Sequence, residues 1–252
     1  LFFKRKYYIV IKGLEIYGGL TLLSERLKTI ANFVPVQASC ADIGTDHAYL
    51  LIELARRNPK RKLIGVEVSS KPFQVAKNNL KRVSLNDCVE LRLGSGLTVI
   101  DPEEVDTVVL AGMGGTTIID ILEASPQVVG KLNRLILQPM VAVERVRKWL
   151  VEKGFRIEDE DLVLEDNQYY QVILASPGER QQLDEIELML GPKIMEKKHP
   201  LLSNYLDFLI SKYEGIIEQI IVNRKLLDFT NSKLEDLQNK LSKLRVVKDN
   251  VS

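Results

Sequence analysis

Asp42-Ile43-Gly44-Thr45-Asp46-His47 sets two carboxylates and an imidazole around one glycine, directly after a short apolar run. An apolar strand that runs into an acidic residue, a glycine and a helix start is how an open α/β sheet builds a nucleotide-type cofactor site. The glycine lets the backbone come close to the ligand, and the helix N-terminus offers free N–H groups. The G-x-G-x-x-G pattern of dinucleotide sites is absent. D-x-G-x-D instead puts two carboxylates where a pyrophosphate would have to sit. Like charges repel, which disfavours NAD or FAD. A cofactor with a cationic sulfonium and an amino-acid end, S-adenosylmethionine, fits the same carboxylates.

Further residues of this kind follow at successive strand ends. Glu67, with Val68 beside it, comes a little over twenty residues after Asp42, the placement of a carboxylate that grips ribose hydroxyls. Gly94-Ser95-Gly96-Leu97 is placed to flank an adenine. Ala111-Gly112-Met113 stands where a transferred methyl would point, and Gly112, Gly114 and Gly115 around Met113 are more glycine than a turn demands. Together these ends form the crevice at the carboxyl edge of an open sheet, where such sheets bind ligands. His47 sits beside Asp46 at the start of a helix inside that crevice. Tyr49 serves equally as a site residue or as core, and His199, before Pro200, reads as a solvated loop residue. No metal is expected.

The elements that position these residues follow from periodicity. Helical spacing covers Leu22 to Phe33, with Ser24 near the start and Pro35 as the stop. Ser39–Ile43, Lys62–Val68, Val89–Leu93, Asp106–Ala111 and Arg134–Gln138 read as strands. Ala48–Arg57, Ser70–Val83, Thr116–Glu123 and Val143–Lys153 read as the helices between them. Phe155–Leu164 and Tyr169–Ala175 are two more strands, joined by Glu165–Gln168 into an antiparallel hairpin. Alternating strands and helices predict a three-layer α/β fold. The hairpin resembles the familiar ending of class I methyltransferases, so a Rossmann-like sheet, mostly parallel with a C-terminal antiparallel hairpin, is expected.

After Ser176-Pro177-Gly178 the strand signal stops. Leu206, Tyr213, Ile220, Leu227, Leu234 and Leu241 recur every seven residues, with Leu209, Ile216, Leu237 and Leu244 on the partner seam and Asn223 and Thr230 interrupting it. This predicts an α-helical, coiled-coil-like C-terminal domain, either pairing between copies or folding back near Asn231-Ser232. The expected organisation is a basic extension over 1–21, a cofactor-binding domain over 22–178 and a helical domain over 179–252.

The 252 residues are 45% hydrophobic and 27% charged, with a net charge of +1. These are ordinary values for a globular protein, and any basic surface must be local. Cys40 and Cys88 fall in predicted strand segments and read as reduced thiols of a cytoplasmic protein. No apolar run reaches membrane-helix length, and Leu1 to Lys12, which mixes Phe, Tyr and Ile with Lys4, Arg5, Lys6 and Lys12, does not read as a signal peptide.

The segment Asp42–Leu50 (DIGTDHAYL), the Ala111–Gly115 turn (AGMGG) and Leu137-Gln138-Pro139 closely resemble the bacterial tRNA (adenine-22-N1)-methyltransferase family, TrmK. The likeness takes in Leu23–Leu27, Tyr169-Tyr170 and, more loosely, Gly191-Pro192, and so spans the chain from about residue 22. Met140 departs from it, since a polar residue is expected after Gln-Pro. The residues before 20 have no counterpart in it.

The resemblance implies an S-adenosylmethionine enzyme that methylates N1 of an adenine in the tRNA D-arm. It implies that Asp42, Gly44, Glu67, Val68, Ser95, Gly96 and Ala111 hold the cofactor. Asp46, His47 and Tyr49 would position the base and accommodate its charge, while Gly112 and Met113 would line the methyl-transfer pocket. Arg26, Lys28 and basic residues of the helical tail would contact tRNA phosphates. The rival expectations are a methyltransferase of a small molecule or protein, and a non-catalytic cofactor-binding domain that assembles through its heptad helices.

Overall fold

The computed structural model describes residues 10–11, 14–17, 20–222 and 231–251. Three short strands open it: β1 (Val10–Ile11), β2 (Leu14–Tyr17) and β3 (Leu20–Leu23), an antiparallel meander. Sequence reading assigned no strand to the basic extension over 1–21, so the meander is new. It also shortens the first helix, because Leu22 and Leu23 pair with Glu15 and Leu14. Helix α1 (Glu25–Phe33) therefore starts at Ser24, whose hydroxyl accepts from the Leu27 amide at 3.4 Å. Lys4, Arg5, Lys6 and Lys12 lie outside the described residues.

The main sheet grows from apolar runs that are buried on both faces, as parallel strands between helical layers must be. In chain order it comprises β4 (Cys40–Ile43), α2 (Tyr49–Arg57), β5 (Leu63–Glu67), α3 (Ser70–Arg82), β6 (Glu90–Leu93), a 3-10 turn (Gly96–Val99) and β7 (Thr107–Met113). These are followed by α4 (Gly115–Glu123), α5 (Pro126–Val129), β8 (Arg134–Pro139), α6 (Val143–Glu152), β9 (Phe155–Glu165) and β10 (Gln168–Pro177). The seven strands lie in the order β6-β5-β4-β7-β8-β10-β9, and only β10 pairs antiparallel with its neighbours. The expected doubly wound sheet with an antiparallel hairpin is therefore present.

Three local expectations change. β7 runs to Met113 rather than ending at Ala111, because its register to β8 shifts at Gly112 (φ +75) and the strand continues past the bulge. The hairpin link is only Asp166-Asn167, both left-handed (φ 50° and 60°), which matches the twist of the flanking strands. Cys88 lies in a turn before β6, half-buried, and Cys40 is fully buried in β4 with its thiol pushed up by burial; both are free thiols.

The hairpin is fastened to α6 by a charge with no access to solvent. Arg147 donates from Nε to Glu160 Oε1 at 2.6 Å and from Nη2 to Gln171 Oε1, and neither the Arg147 nor the Glu160 side chain is exposed. Burying such a pair is not a net gain over apolar residues, but removing one partner strands the other. The hairpin's position is thus strongly specified.

The chain divides into two compact units between Gln182 and Leu183. The second unit is helical among its described residues: α7 (Glu185–Leu190), α8 (Pro192–Glu196), α9 (Leu202–Val222) and α10 (Asn231–Val251). Asp184 and Glu187 close a capping box on α7. The two long helices fold back antiparallel, with Arg245 on Glu214 and Lys248 on Asp207, each at 2.7 Å. Leu206, Leu209, Leu234, Leu237, Leu241 and Leu244 of the heptad seams are buried. Leu227, Asn223 and Thr230 lie outside the described residues. His199 is half-buried rather than solvated, its Nδ1 accepting from the Leu201 amide at 3.1 Å.

Candidate functional site

The strand order reverses between β4 and β7, and their carboxyl ends open onto a cavity of ≈ 620 Å³. This is the switch point at which open α/β sheets take ligands. The walls are Arg26 and Leu27 of α1; Asp42, Gly44, Thr45, Asp46, His47, Tyr49 and Leu50; Ala111, Gly112, Met113 and Met140; and Glu165, Asp166, Gln168 and Tyr170 of the hairpin.

The turn after β4 is conformationally costly. Gly44 (φ +77), Asp46 (φ +46) and Ala48 (φ +59) all occupy the left-handed region, which L side chains rarely adopt. Gly44 has a second constraint, because a Cβ there would stand 2.4 Å from Met113 Cε. The first and fourth strand ends therefore meet at this glycine. The Ala48 conformation also brings His47 and Tyr49 into a parallel stack, with ring centroids 5.1 Å apart and planes 4° from parallel. His47 Nε2 is 3.6 Å from Asp46 Oδ2, and Asn79 Nδ2 donates to the His47 carbonyl at 3.0 Å. Burial, then the Asp46 charge, pushes the Tyr49 phenol up.

Beneath the turn, Asp42 is 6% exposed and accepts the Thr45 hydroxyl at 2.9 Å. Burial pushes its carboxyl up to about 6; the Thr45 bond opposes this, and the charges of Glu67 and Asp46 add to it. Glu67, also buried, accepts the Ser69 amide on Oε1 at 3.1 Å and the Asp46 amide on Oε2 at 3.3 Å. The carboxylate at the end of β5 thus braces the turn after β4.

Not every expected site residue reaches the cavity. Glu67, Val68, Ser95, Gly96 and Lys28 do not line it. Lys28 faces away, bonded to Glu25 Oε1 at 2.6 Å. Val68 (68% exposed), just past the carboxyl end of β5, and Leu93 (53% exposed), at the carboxyl end of β6, are both apolar and exposed. Leu97, expected to flank an adenine, is instead buried in the 3-10 turn. Arg26 is tied down rather than free: Nη1 donates to Gln138 Oε1 at 2.7 Å, and the guanidinium lies 5.4 Å over the Tyr170 ring. Among the described residues no group of His, Cys, Asp or Glu is placed to hold a metal ion.

Comparisons with known proteins give the family. A family profile described as a methyltransferase domain matches residues 23–173. A Bacillus subtilis protein named tRNA (adenine(22)-N(1))-methyltransferase is 33% identical over 232 residues, covering 90% of this chain and 97% of that protein. The chain belongs to the tRNA (adenine(22)-N(1))-methyltransferase family. The TrmK of M. capricolum, solved with S-adenosyl-homocysteine, superposes with a TM-score of 0.77 at 29% identity, covering 91% of this chain and 99% of that one. A Streptococcus pneumoniae protein solved with S-adenosyl-L-methionine gives a TM-score of 0.76 at 29% identity, covering 90% and 100%.

Within this methyltransferase fold the structure gives work to residues that sequence reading left without a role. Gln138 is fully buried. Its Oε1 accepts both Arg26 Nη1 and the Gly112 amide, the latter at 3.1 Å, and its Nε2 donates to the Pro139 carbonyl at 3.2 Å. One amide therefore fixes the β7 bulge and the α1 arginine together. Glu165 accepts the Arg26 amide at 3.0 Å, so the hairpin tip also grips α1. The signal for Gln138 was present in the Leu-Gln-Pro segment: a polar amide inside a buried run needs partners.

Proposed function

We propose that this protein is an S-adenosylmethionine-dependent tRNA methyltransferase that methylates N1 of adenine 22. The carrying observation is the convergence of Asp42, Asp46 and Glu67 at the switch point. Among the described residues, no lysine or arginine pairs with any of the three. An uncompensated carboxylate cluster around a glycine suits a cationic ligand and repels a pyrophosphate.

The residues fit such a cofactor. Asp42, Gly44 and Ala111 would hold its amino-acid end and sulfonium. Glu67 would hold its ribose, and Val68, Leu93, Ser95 and Gly96 its adenine. The exposure of Val68 and Leu93 supports this, as does the raised Asp42 carboxyl, which a positive ligand would return to the ionised form. When bound, the cofactor supplies an electrophilic methyl group.

The chain's own residues then orient and stabilise. N1 of adenine carries a free in-plane lone pair at neutral pH, so no strong base is needed for attack. What the site must do is hold the reacting atoms about 3 Å apart and in line. The His47–Tyr49 stack and Tyr170 would position the base, and Met113 and Gly112 would line the transfer pocket. Attack leaves positive charge on the adenine ring, which Asp46 is placed to stabilise until a proton leaves N6. Arg26 would meet tRNA phosphate in the fixed pose that Gln138 gives it, and Lys28, paired with Glu25, would do so only by exchanging that carboxylate.

The helical unit would contribute less charge than its lysine count suggests. Lys240, Lys243, Arg245 and Lys248 each pair with a carboxylate. No helix of the described residues is long and apolar enough to cross a membrane. A cytoplasmic location is proposed from the tRNA substrate alone.

The test is incubation with radiolabelled S-adenosylmethionine and unmodified tRNA, followed by mapping of the label. Label at N1 of adenine 22 is expected. Label confined to protein or small molecules overturns the proposal.

A further inference from the structure

Met140 and Val141 follow the buried Gln138-Pro139 pair, yet stand 43% and 66% exposed. Their backbone is held on two sides. The Met140 amide donates to the Met113 carbonyl at 2.7 Å, and the Gly115 amide donates to the Val141 carbonyl at 2.9 Å. The loop lies so close to the first turn of α4 that a Cβ at Gly115 would stand 2.6 Å from the Ala142 carbonyl oxygen and 2.8 Å from that of Val141. Ala142 itself is left-handed (φ +57). A loop fixed this firmly holds the Val141 side chain toward solvent and leaves Met140 part-exposed, with its Sδ accepting from the buried Gln138 Nε2 at 3.6 Å. Met140 lines the cavity, and Val141 lies over Gly114, next to Met113. The exposed Arg145 follows one turn later, its Nη1 3.2 Å from Thr116 Oγ1, beside the same loop.

The proposed reaction gives this surface a task. N1 lies on the pairing edge of adenine, so a target within a helical arm must leave the stack before its lone pair can reach the methyl group. The vacated gap favours an apolar side chain, and flanking phosphates favour a nearby guanidinium. We propose that Met140 and Val141 form a rigid apolar wedge that enters the tRNA base stack as the target adenine leaves it, with Arg145 on the adjacent phosphate. The inference rests on the tRNA methyltransferase reading of the cavity. It also accounts for Met140 standing where a polar residue was expected.

The experiment compares wild type with Val141→Ser, Met140→Ser and Val141→Leu on two substrates. One is unmodified tRNA; the other is the same tRNA with the base facing adenine 22 replaced so that it cannot pair. Calorimetry with S-adenosylmethionine checks that each variant is folded and binds cofactor. The serine variants should lose roughly tenfold in kcat/KM on unmodified tRNA, because they no longer offset the cost of unstacking. Their loss relative to wild type should shrink severalfold on the unpaired substrate, where little unstacking is left to drive. Val141→Leu, which keeps an apolar side chain in the wedge, should lose less than Val141→Ser on unmodified tRNA. Equal losses on both substrates, or no loss on either, would overturn the wedge while leaving the methyltransferase proposal intact. A wild-type protein that methylates neither tRNA would overturn both.

Discussion

At the amino edge of the sheet, Glu104 meets Arg92 at 2.6 Å and Lys62 at 2.8 Å. Asp106 there accepts both the amide and the hydroxyl of Ser39, at 3.1 and 3.0 Å. At the carboxyl edge, Asp42, Asp46 and Glu67 converge with only amides, one hydroxyl and a histidine around them. The consequences are opposite. Arg92 holds the Glu104 carboxyl well below the usual carboxylate range, whereas burial pushes Asp42 up to about 6. One sheet thus keeps carboxylates paired with cations at one edge and carboxylates without a Lys or Arg partner, among the described residues, at the other. The left-handed backbone at Gly44, Asp46 and Ala48 lies on the second edge, where strain is tolerated because it shapes a site.

The sharpest way to break this contrast is to neutralise one member of each set. Asp42→Asn keeps an acceptor for Thr45 and removes the charge. Affinity for S-adenosylmethionine should fall by roughly 100-fold in calorimetry, with thermal stability of the free protein unchanged or higher, since a buried ionisable group has been removed. Glu104→Ala should do the reverse. It leaves Arg92 without its partner and should cost about 2 kcal/mol in urea unfolding with cofactor affinity preserved. Loss of cofactor binding in Glu104→Ala, or unfolding in Asp42→Asn, would erase the distinction between the edges.

Proton concentration sharpens the same comparison without mutation. The folded-state value for Asp42 lies above its unfolded value, so its contribution to stability is present at low pH and is lost as pH rises through about 6. A cationic cofactor prefers the ionised carboxylate, so its affinity runs the other way. S-adenosylmethionine should bind roughly tenfold more weakly at pH 5 than at pH 7.5, the factor expected one unit below the titration midpoint. Glu104 titrates far lower and contributes nothing in that window. A flat affinity between these pH values would show that Asp42 does not face the cofactor.

What could be read from the chain divides along a related line. Strand runs such as Leu63–Glu67 and the Asp42–Gly44 turn are local features, and continuous burial or a glycine at a strand end marks them directly. Arg26 on Gln138 joins residues 112 positions apart, and the Arg26 amide on Glu165 joins residues 139 apart. Such pairings depend on where the hairpin and α1 come to rest, and periodicity carries no record of that. The meander over β1–β3 was missed for a different reason. Its strands are only two to four residues long, too short for alternation to rise above chance.

Glycines after β7 show the same division within a single turn, and they set up the smallest expected effect. From sequence, Gly112, Gly114 and Gly115 look alike. In the structure, Gly112 needs its left-handed backbone for the bulge, and Gly115 is packed against the carbonyls of Val141 and Ala142. Gly114 has φ −64 and no atom nearer than 3.8 Å to a Cβ built on it. Its backbone is one that any L residue adopts, and the space for a methyl group is open. Gly114→Ala should therefore leave the melting temperature unchanged or slightly raised and the methylation rate within about twofold of wild type, since alanine replaces glycine without strain at such positions. A large loss of methylation with cofactor affinity intact would show that tRNA approaches Gly114 more closely than a methyl group allows, and would extend the ligand-bearing edge of the sheet by one residue.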